Sequence, residues 1–370
     1  MGQIADVRDG THESPKYVSQ NGYPLITSKN LENGTINFDD ISYISKKDYE
    51  EINKRSLVEK NDILFGMIGT IGNVAIVKKS GFAIKNVALI KSNSEIPSIN
   101  LIQIIQSDIL KKYTNRLNSG NSQKFISLGD IRKFDFKMAS KSENMLISKL
   151  FKKVDTLLSL QQRKLELEKQ LKKFCLQNIL SDNKKCPNLR FHDFSTNWKK
   201  VKVGDIFTVT RGKVLSKDKI SKTKDHIMKY PVYSSQTLNN GLLGYYHDYL
   251  FEDAITWTTD GANAGTVRLR AGKFYGTNVN GVLLSKNGYV NDANAEALNQ
   301  IAWKYVSKVG NPKLMNNVMQ NIMFSIAPSV EEQVIISKLF ILHSKSLKIY
   351  QANINVYTQL KQFLLQNLFI

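Results

Sequence analysis

Cysteine is nearly absent from this 370-residue chain, with Cys175 and Cys186 the only two. They form no Cys-x-x-Cys pair and no histidine cluster accompanies them, which argues against a zinc site and for two reduced thiols. No apolar run approaches the roughly 18 residues that span a bilayer. The opening Met1-Gly2-Gln3-Ile4-Ala5-Asp6 lacks the basic and apolar regions of a secretion signal. Asp6 also occupies the place where an N-myristoylation motif wants Ser or Thr. A cytoplasmic location is the expectation. Acidic residues are scarce: 32 Asp and Glu face 52 Lys and Arg, a formal net charge of +20. An excess of this size points to a polyanionic partner. Residues 183–328 carry 20 basic and 10 acidic side chains, against 19 and 15 in residues 1–140. The basic residues are scattered, so the charge belongs to a folded surface rather than a basic tail.

Catalytic constellations are missing as well. The stretch Gly66 to Gly72 is glycine-rich but departs from GxGxxG, and strand-like segments flank it, so it reads as a hairpin. Gly212-Lys213 and Gly272-Lys273 lack the rest of a phosphate-binding loop. Asn311-Pro312-Lys313 lacks the aromatic residue that a flipped-adenine motif would supply. His12, His192, His226, His247 and His343 are dispersed and read as surface or core residues rather than ligands. No pair of carboxylates sits near a lysine with nuclease spacing.

What the chain does contain is a repeat. Glu143 to Leu180 returns at Glu332 to Phe369 without a gap, and about 15 of some 38 positions are identical. Ile147-Ser148-Lys149-Leu150-Phe151 becomes Ile336-Ser337-Lys338-Leu339-Phe340, and Leu176-Gln177-Asn178 becomes Leu365-Gln366-Asn367. Both copies lack Gly and Pro and are rich in Leu, Lys, Gln and Ile, which predicts helices. A helix of about 38 residues rises about 57 Å. Apolar residues step by alternating fours and threes, which predicts a coiled-coil seam. On the first copy that stripe takes in Leu150, Leu157, Leu160, Leu167, Leu171 and Phe174. On the second it takes in Leu339, Leu342, Ile349, Val356, Leu360 and Phe363. Lys164 and Asn353 are its polar interruptions, of the kind that fixes register.

The segments before the helices correspond more weakly. Ile4 to Gly10 resembles Ile206 to Gly212, Tyr23-Pro24-Leu25 matches Tyr230-Pro231-Val232, and Gly69 to Val74 parallels Gly261 to Val267. Both segments read as short strands and turns: Ile63–Phe65, Val74–Val77 and Val87–Ile90, with counterparts near Ile255, Val267 and Val282. Helices are expected over Ile99–Tyr113 and Ala295–Val306. The expected organisation is a first domain over 1–140, a long helix over 141–182, a linker over 183–197, a second domain over 198–328 and a second long helix over 329–370. The fold class is α+β: two similar mixed α/β domains and two long helices, which most simply pack on each other, the alternative being that each docks on a different subunit. The second domain opens with Trp198-Lys199-Lys200-Val201-Lys202-Val203-Gly204-Asp205, a lead-in that has no counterpart in the first.

With the repeat in view, the chain resembles the specificity subunit of type I restriction–modification systems along essentially its whole length. The carriers are Asp9-Gly10-Thr11-His12 with Tyr23 to Leu31, the lead-in Pro187 to Phe191 running to Gly204-Asp205-Ile206, and Pro328 to Gln333 before the repeated helix. The missing lead-in of the first domain departs from the usual pattern. The resemblance implies two target recognition domains, each reading one half of a bipartite site on double-stranded DNA, and two long helices packed as an antiparallel coiled coil with an internal pseudo-two-fold. It implies that the helices dock two methyltransferase subunits, that restriction subunits join later, and that no membrane is involved. It further implies no active site and no cofactor in this chain. S-adenosylmethionine, ATP and Mg would then serve adenine methylation and DNA cleavage on the partner subunits.

Readout candidates are polar residues on expected loops, because Asn and Gln pair bidentately with adenine and Lys or Arg with guanine. In the first domain these are Thr27, Ser28, Lys29, Asn30, Ser122, Gln123 and Lys124. The last three lie in a turn that resembles a Gly-Ser-x-Gln loop of the family. In the second they are Ser234, Ser235, Gln236, Asn311, Lys313 and Asn316, with Arg211, Lys213, Trp257, Thr258, Thr259 and Asn278. Against this stand two other readings: a stand-alone DNA modification or nicking enzyme, which lacks a cofactor fingerprint, and a structural repeat protein binding another polyanion.

Overall fold

A computed structural model describes residues 1–32, 34–117, 125–180, 186–236 and 238–369. By packing, the chain divides into two units: residues 1–162 with 352–370, and residues 163–351. Each long helix therefore contributes to both units.

In the first unit a four-stranded antiparallel sheet has the order Val7–Asp9, Val87–Ile90, Ile63–Gly66, Val74–Ile76. A three-stranded sheet pairs Tyr23–Ile26 with Ser42–Ile44 and, in parallel, with Ala83–Ile84. Every residue of Ile63–Gly66 and Val87–Ile90 is buried. These strands accordingly read as continuous β-branched and aliphatic runs rather than as alternating ones. The Gly66–Gly72 stretch is the expected hairpin connection. Gly69 and Gly72 take φ of 78° and 81°, which favours glycine at both turns. The helix expected over Ile99–Tyr113 is two helices, Ser98–Gln106 and Asp108–Leu117. Ser107 breaks it with an extended backbone, and its hydroxyl donates to the Ile104 carbonyl.

In the second unit the sheet has six strands, in the order Thr208–Arg211, Asn280–Leu284, Phe251–Thr258, Val267–Gly276, Tyr230–Tyr233, Leu242–Tyr246. The lead-in strand Lys199–Lys202 pairs antiparallel with Met323–Ile326. In the first domain the matching residues 134–137 pair with no strand among the described residues, and the Met1 ammonium donates to the Phe134 carbonyl at 2.5 Å. The second domain's helix, Asp292–Ile301, starts at Asn291, whose side chain accepts from the Asn294 amide.

Each domain docks on its own long helix through the same pair of positions. In the first unit the Asn100 amide donates to the Asn144 carbonyl (2.6 Å) and side-chain oxygen (2.9 Å), and Asn100 accepts from the Ser148 hydroxyl at 2.9 Å. In the second, Asn291 and Asn294 both donate to Gln333 Oε1 at 2.9 Å, and Ser337 accepts from the Ala293 amide at 3.0 Å. Gln333 and Ser337 occupy the repeat positions of Asn144 and Ser148. Paired in this way, these polar groups fix how each domain sits on its helix.

The long helices run Lys141–Ile179 and Val330–Asn367. Within the first unit they are antiparallel: Phe151 stacks on Phe369 with ring centroids 5.8 Å apart, and Asp155 pairs with Lys361 at 2.8 Å. Within the second unit Glu168 meets His343 at 2.6 Å and Lys172 donates to Ser344 at 3.4 Å. The seam, however, is not the stripe expected from the sequence. Leu150, Leu157, Leu160, Leu167, Leu171, Phe174, Leu342, Ile349, Val356, Leu360 and Phe363 are all exposed, Phe363 by 60%. Of the expected seam, Leu339 and the polar Asn353 are half-buried, as is Ile335 one turn before Leu339. Lys164, expected inside, is also exposed. The residues that face inward lie one position later: Ile147, Phe151, Val154, Leu158, Leu165 and Cys175, and Ile336, Phe340, His343, Leu347 and Ile354. One residue turns a 3.6-residue helix by about 100°. Both stripes share the four–three spacing, so periodicity does not separate them. The true seam is the more polar of the two, with Gln161, Glu168 and Lys172 half-buried on it. The purer apolar stripe faces out.

Candidate nucleic-acid interface

The end of the strand Thr208–Arg211 carries the second domain's densest polar cluster. Arg211 follows three strand residues and precedes Gly212, where a Cβ would sit 2.2 Å from the Gly276 carbonyl oxygen. Only glycine allows that approach, which brings Arg211 beside the segment 276–281. Arg211 Nε donates to the Asn278 carbonyl at 2.6 Å, and Nη2 donates to Thr259 Oγ1 (3.2 Å) and Asp260 Oδ2 (3.1 Å). Lys313 Nζ lies 3.9 Å from Asp260 Oδ1. Arg211 and Lys313 flank this carboxylate at the surface, and Lys213, bridged to Thr277, and Asn278 are exposed on the adjoining segments. Two surface cations held by one acid present donors to phosphates and base edges while losing little side-chain entropy on binding.

The matching slot in the first domain has different chemistry. Asp9 ends the strand Val7–Asp9, and Gly10 follows with its Cβ position 2.3 Å from the Ile84 carbonyl oxygen. His12 bridges Asp9 (3.1 Å) and the side chain of Asn86 (2.9 Å), and Arg55 lies 3.4 Å from Asp9. Asn86 takes a φ of 54°. Thr11 bridges to Lys85 here as Lys213 bridges to Thr277 in the second domain. The backbone frame is shared; an acid with a histidine and an arginine stands where the second domain has an arginine with an acid and a lysine.

Several sequence candidates have other duties. Thr27, Ser28 and Asn30 form a closed turn: Asn30 accepts from the Thr27 amide and hydroxyl at 3.0 Å each, and the Ser28 hydroxyl donates to the Asn86 carbonyl. Ser28 and Asn30 are buried, Thr27 is half-buried, and Lys29 is exposed, 2.9 Å from Asp40. Trp257 is fully buried, its indole donating to the Leu314 carbonyl at 3.0 Å and its ring covering Gly281. It is a core residue, because a bulky ring opposite a glycine fills the sheet rather than the surface. Thr258 and Thr259 are buried too, and Thr259 serves by holding Arg211. Ser122, Gln123 and Lys124 lie outside the described residues. Asn316 is the first residue of the short helix Asn316–Gln320.

Ser234, Ser235 and Gln236 are half-buried beside a turn in which Asn239, Asn240 and Gly241 all have positive φ. Two arginines hold that turn: Arg268 donates to Asn240 Oδ1 at 3.0 Å, and Arg270 to the Asn240 carbonyl at 2.8 Å. Arg270 is buried with its guanidinium 3.7 Å over the Tyr233 ring. Burial lowers its pKa to about 10, which leaves it charged at neutral pH.

Arg55, Asn86 and Asp260 are not singled out by the sequence, and Asp9 and His12 enter there as carriers of the family resemblance rather than as readout candidates. The correspondence of Ile4–Gly10 with Ile206–Gly212 places Asp9 opposite Arg211 and is the available signal. Among the described residues no group of three or more His, Cys, Asp or Glu is placed to hold a metal, and no helix is long and apolar enough to cross a membrane.

Comparison with known proteins gives this arrangement its family. The model of the type I restriction modification DNA specificity domain matches residues 1–169 and 195–356. The type I restriction enzyme MpnII specificity subunit of Mycoplasma pneumoniae is 37% identical over 141 residues, 37% of this chain and 42% of that protein. The first relatives from that organism are matched over 66%, 37% and 56% of their own length. A crystal structure of a type I restriction–modification S subunit from M. genitalium shares the fold with a TM-score of 0.69 at 17% identity, over 100% of this chain and 94% of that one. A chain from a structural study of type I complex assembly and conformational transition aligns at a TM-score of 0.53 and 13% identity, over 98% of this chain and 95% of that one. Both halves of the chain match one family model in the order of the repeat, and the chain belongs to the type I restriction modification DNA specificity domain family.

Proposed function

We propose that this chain is the non-catalytic, DNA-reading subunit of a type I restriction–modification complex, with each domain reading one half of a split site. The observation that carries this is the pair of matched strand ends. Gly10 and Gly212 impose one backbone geometry on both, while Asp9, His12 and Arg55 stand opposite Arg211, Asp260 and Lys313 in chemistry. A shared frame with exchanged donors and acceptors is what two readers of different bases require. The formal charge of +20 supplies the non-specific attraction to phosphates.

The outward stripes support docking of two copies of one partner. Leu160, Leu167, Leu171 and Phe174 recur as Ile349, Val356, Leu360 and Phe363, and all eight are exposed. Apolar surface of that extent, repeated at equivalent positions, offers two like faces to two like subunits. Methyltransferase subunits are the expected occupants, with restriction subunits joining the same assembly. S-adenosylmethionine, ATP and Mg would act on those partners.

Mapping methylated adenines in cells with and without the chain tests the reading. The expected result is a motif of two short defined halves that appears only with the chain. Exchange of residues 198–328 for those of a relative should change one half alone. Adenine methylation by the purified chain with S-adenosylmethionine and no other subunit would overturn it.

A further inference from the structure

Val309 is 91% exposed, more than any other large apolar residue among those described. Its loop is nevertheless tightly held. Ser307 and Lys313 exchange two backbone hydrogen bonds of 2.8 and 3.1 Å, and Gly310 closes the turn with a φ of 68°. At the base, the Gly261 amide donates to the Pro312 carbonyl at 2.9 Å and the Leu314 amide to the Thr259 carbonyl at 2.8 Å. The loop thus stands on Thr259, Asp260 and Gly261, the residues that organise Arg211 and Lys313.

A valine held away from every neighbour forgoes the burial that an apolar side chain gains elsewhere. Its surroundings say what could cover it. Lys308 and Lys313 flank it in the loop, and Arg211 and Lys213 lie at the cluster below, so the covering surface is anionic. The apolar feature that duplex DNA presents between its phosphates is the thymine C5-methyl group in the major groove. Valine's two methyls are short for opening a base step, the work of Phe, Leu, Ile, Met or Pro wedges. Resting on the DNA-reading assignment above, we propose that Val309 packs on a thymine methyl and makes one position of the site specific for thymine.

The test is a cycle between V309A and loss of that methyl group. Duplexes carry the motif mapped in cells, with each thymine replaced in turn by deoxyuridine. Dissociation constants are measured for the full chain as it purifies, partner subunits included. One thymine should be found where deoxyuridine weakens the unmodified protein about fourfold, the worth of one methylene-sized group, and leaves V309A unaffected. Equal deoxyuridine effects in both proteins at every thymine overturn the proposal. So does a uniform loss in V309A that ignores the methyl, or a V309A defect confined to recruiting partner subunits. The R211A variant separates the two levels: if it binds as tightly as the unmodified protein, the DNA-reading assignment of the cluster fails. If it binds weakly and keeps the deoxyuridine effect, the assignment stands, and the Val309 contact holds or fails independently of it.

Discussion

The two recognition domains differ most where they begin. The second has a lead-in that closes on its own helix: Arg190 Nε and Nη2 each donate to the Glu332 carboxylate at 2.8 Å, and the Trp198 indole adds a third bond at 3.2 Å. Glu332 is fully buried at the start of its helix. Its repeat partner Glu143 is exposed. One glutamate, kept at the same place in a well-matched repeat, is a structural keystone in one copy and a surface charge in the other. The repeat preserves the helix; the lead-in decides what the residue does.

Breaking that contrast gives the largest expected effect. R190A leaves a desolvated carboxylate without its cation and should cost about 3–5 kcal/mol. E143A should stay within about 0.5 kcal/mol. Urea denaturation of the full chain measures both. A loss from E143A as large as that from R190A would remove the distinction between the two helix starts.

A smaller pair of changes asks what the domains share. G10A and G212A each force a Cβ against backbone carbonyls, 2.3 Å from Ile84 and 2.2 Å from Gly276. Backbone has to move in both, so each should cost about 1–3 kcal/mol. Matched losses in the melting temperature would sharpen the view that the frame is common. A neutral G10A would mean that the first domain's strand end is built differently.

The side chains beyond those glycines carry the difference. R211A removes a cation and should weaken DNA binding by about 1–3 kcal/mol, with the salt slope falling by about 1 if its contact is a phosphate. D9A releases His12 and Arg55 from their acid and should alter only the half of the motif that R211A leaves alone. Binding measured on duplexes scrambled in one half at a time distinguishes them. Two variants that disturb the same half would break the assignment of one half to each domain.

Much of this architecture is legible in the sequence, and the departures have identifiable causes. The repeat, the strand-and-turn domains and the hairpin at Gly66–Gly72 follow from periodicity and glycine placement. Ser28, Asn30 and Trp257 resemble readout residues because polar or aromatic residues near turns look exposed. The sequence does not show that Asn30 commits its side-chain oxygen to Thr27, or that Gly281 leaves room for an indole. Asp260 and Asp9 carry no signal as donors, and an acid that positions cations is invisible until the cations are placed around it. Val309 is equally silent, because an apolar residue in a sequence gives no sign that it stands on a loop tip. The helix at Ile99–Tyr113 reads as unbroken because the apolar pattern continues through Ser107, whose hydroxyl caps the chain locally.

The coiled-coil stripe departs furthest from expectation, and it yields the smallest expected change in stability. Phe174 and Phe363 are 54% and 60% exposed, at equivalent places on the two helices. If they were seam residues, truncating either would cost about 3–5 kcal/mol. Facing out, F174Q and F363Q should each leave unfolding within about 0.5 kcal/mol of the unmodified chain. The same substitutions should reduce co-purification of the partner subunits, since those rings lie on the stripes assigned to docking. The two measurements answer separate questions. Unchanged stability places the stripe outside the helix pair whatever binds there. Unchanged stability with undiminished co-purification would leave the seam where the structure has it and move the docking face elsewhere. A sequence under selection only to hold two helices together would put its purest leucine stripe between them. Here that stripe is turned away by one residue on both helices, while Gln161, Glu168 and Lys172 remain half-buried on the seam. On the proposed docking role, the stronger apolar face serves an association outside the helix pair, and the pair itself keeps a polar interior.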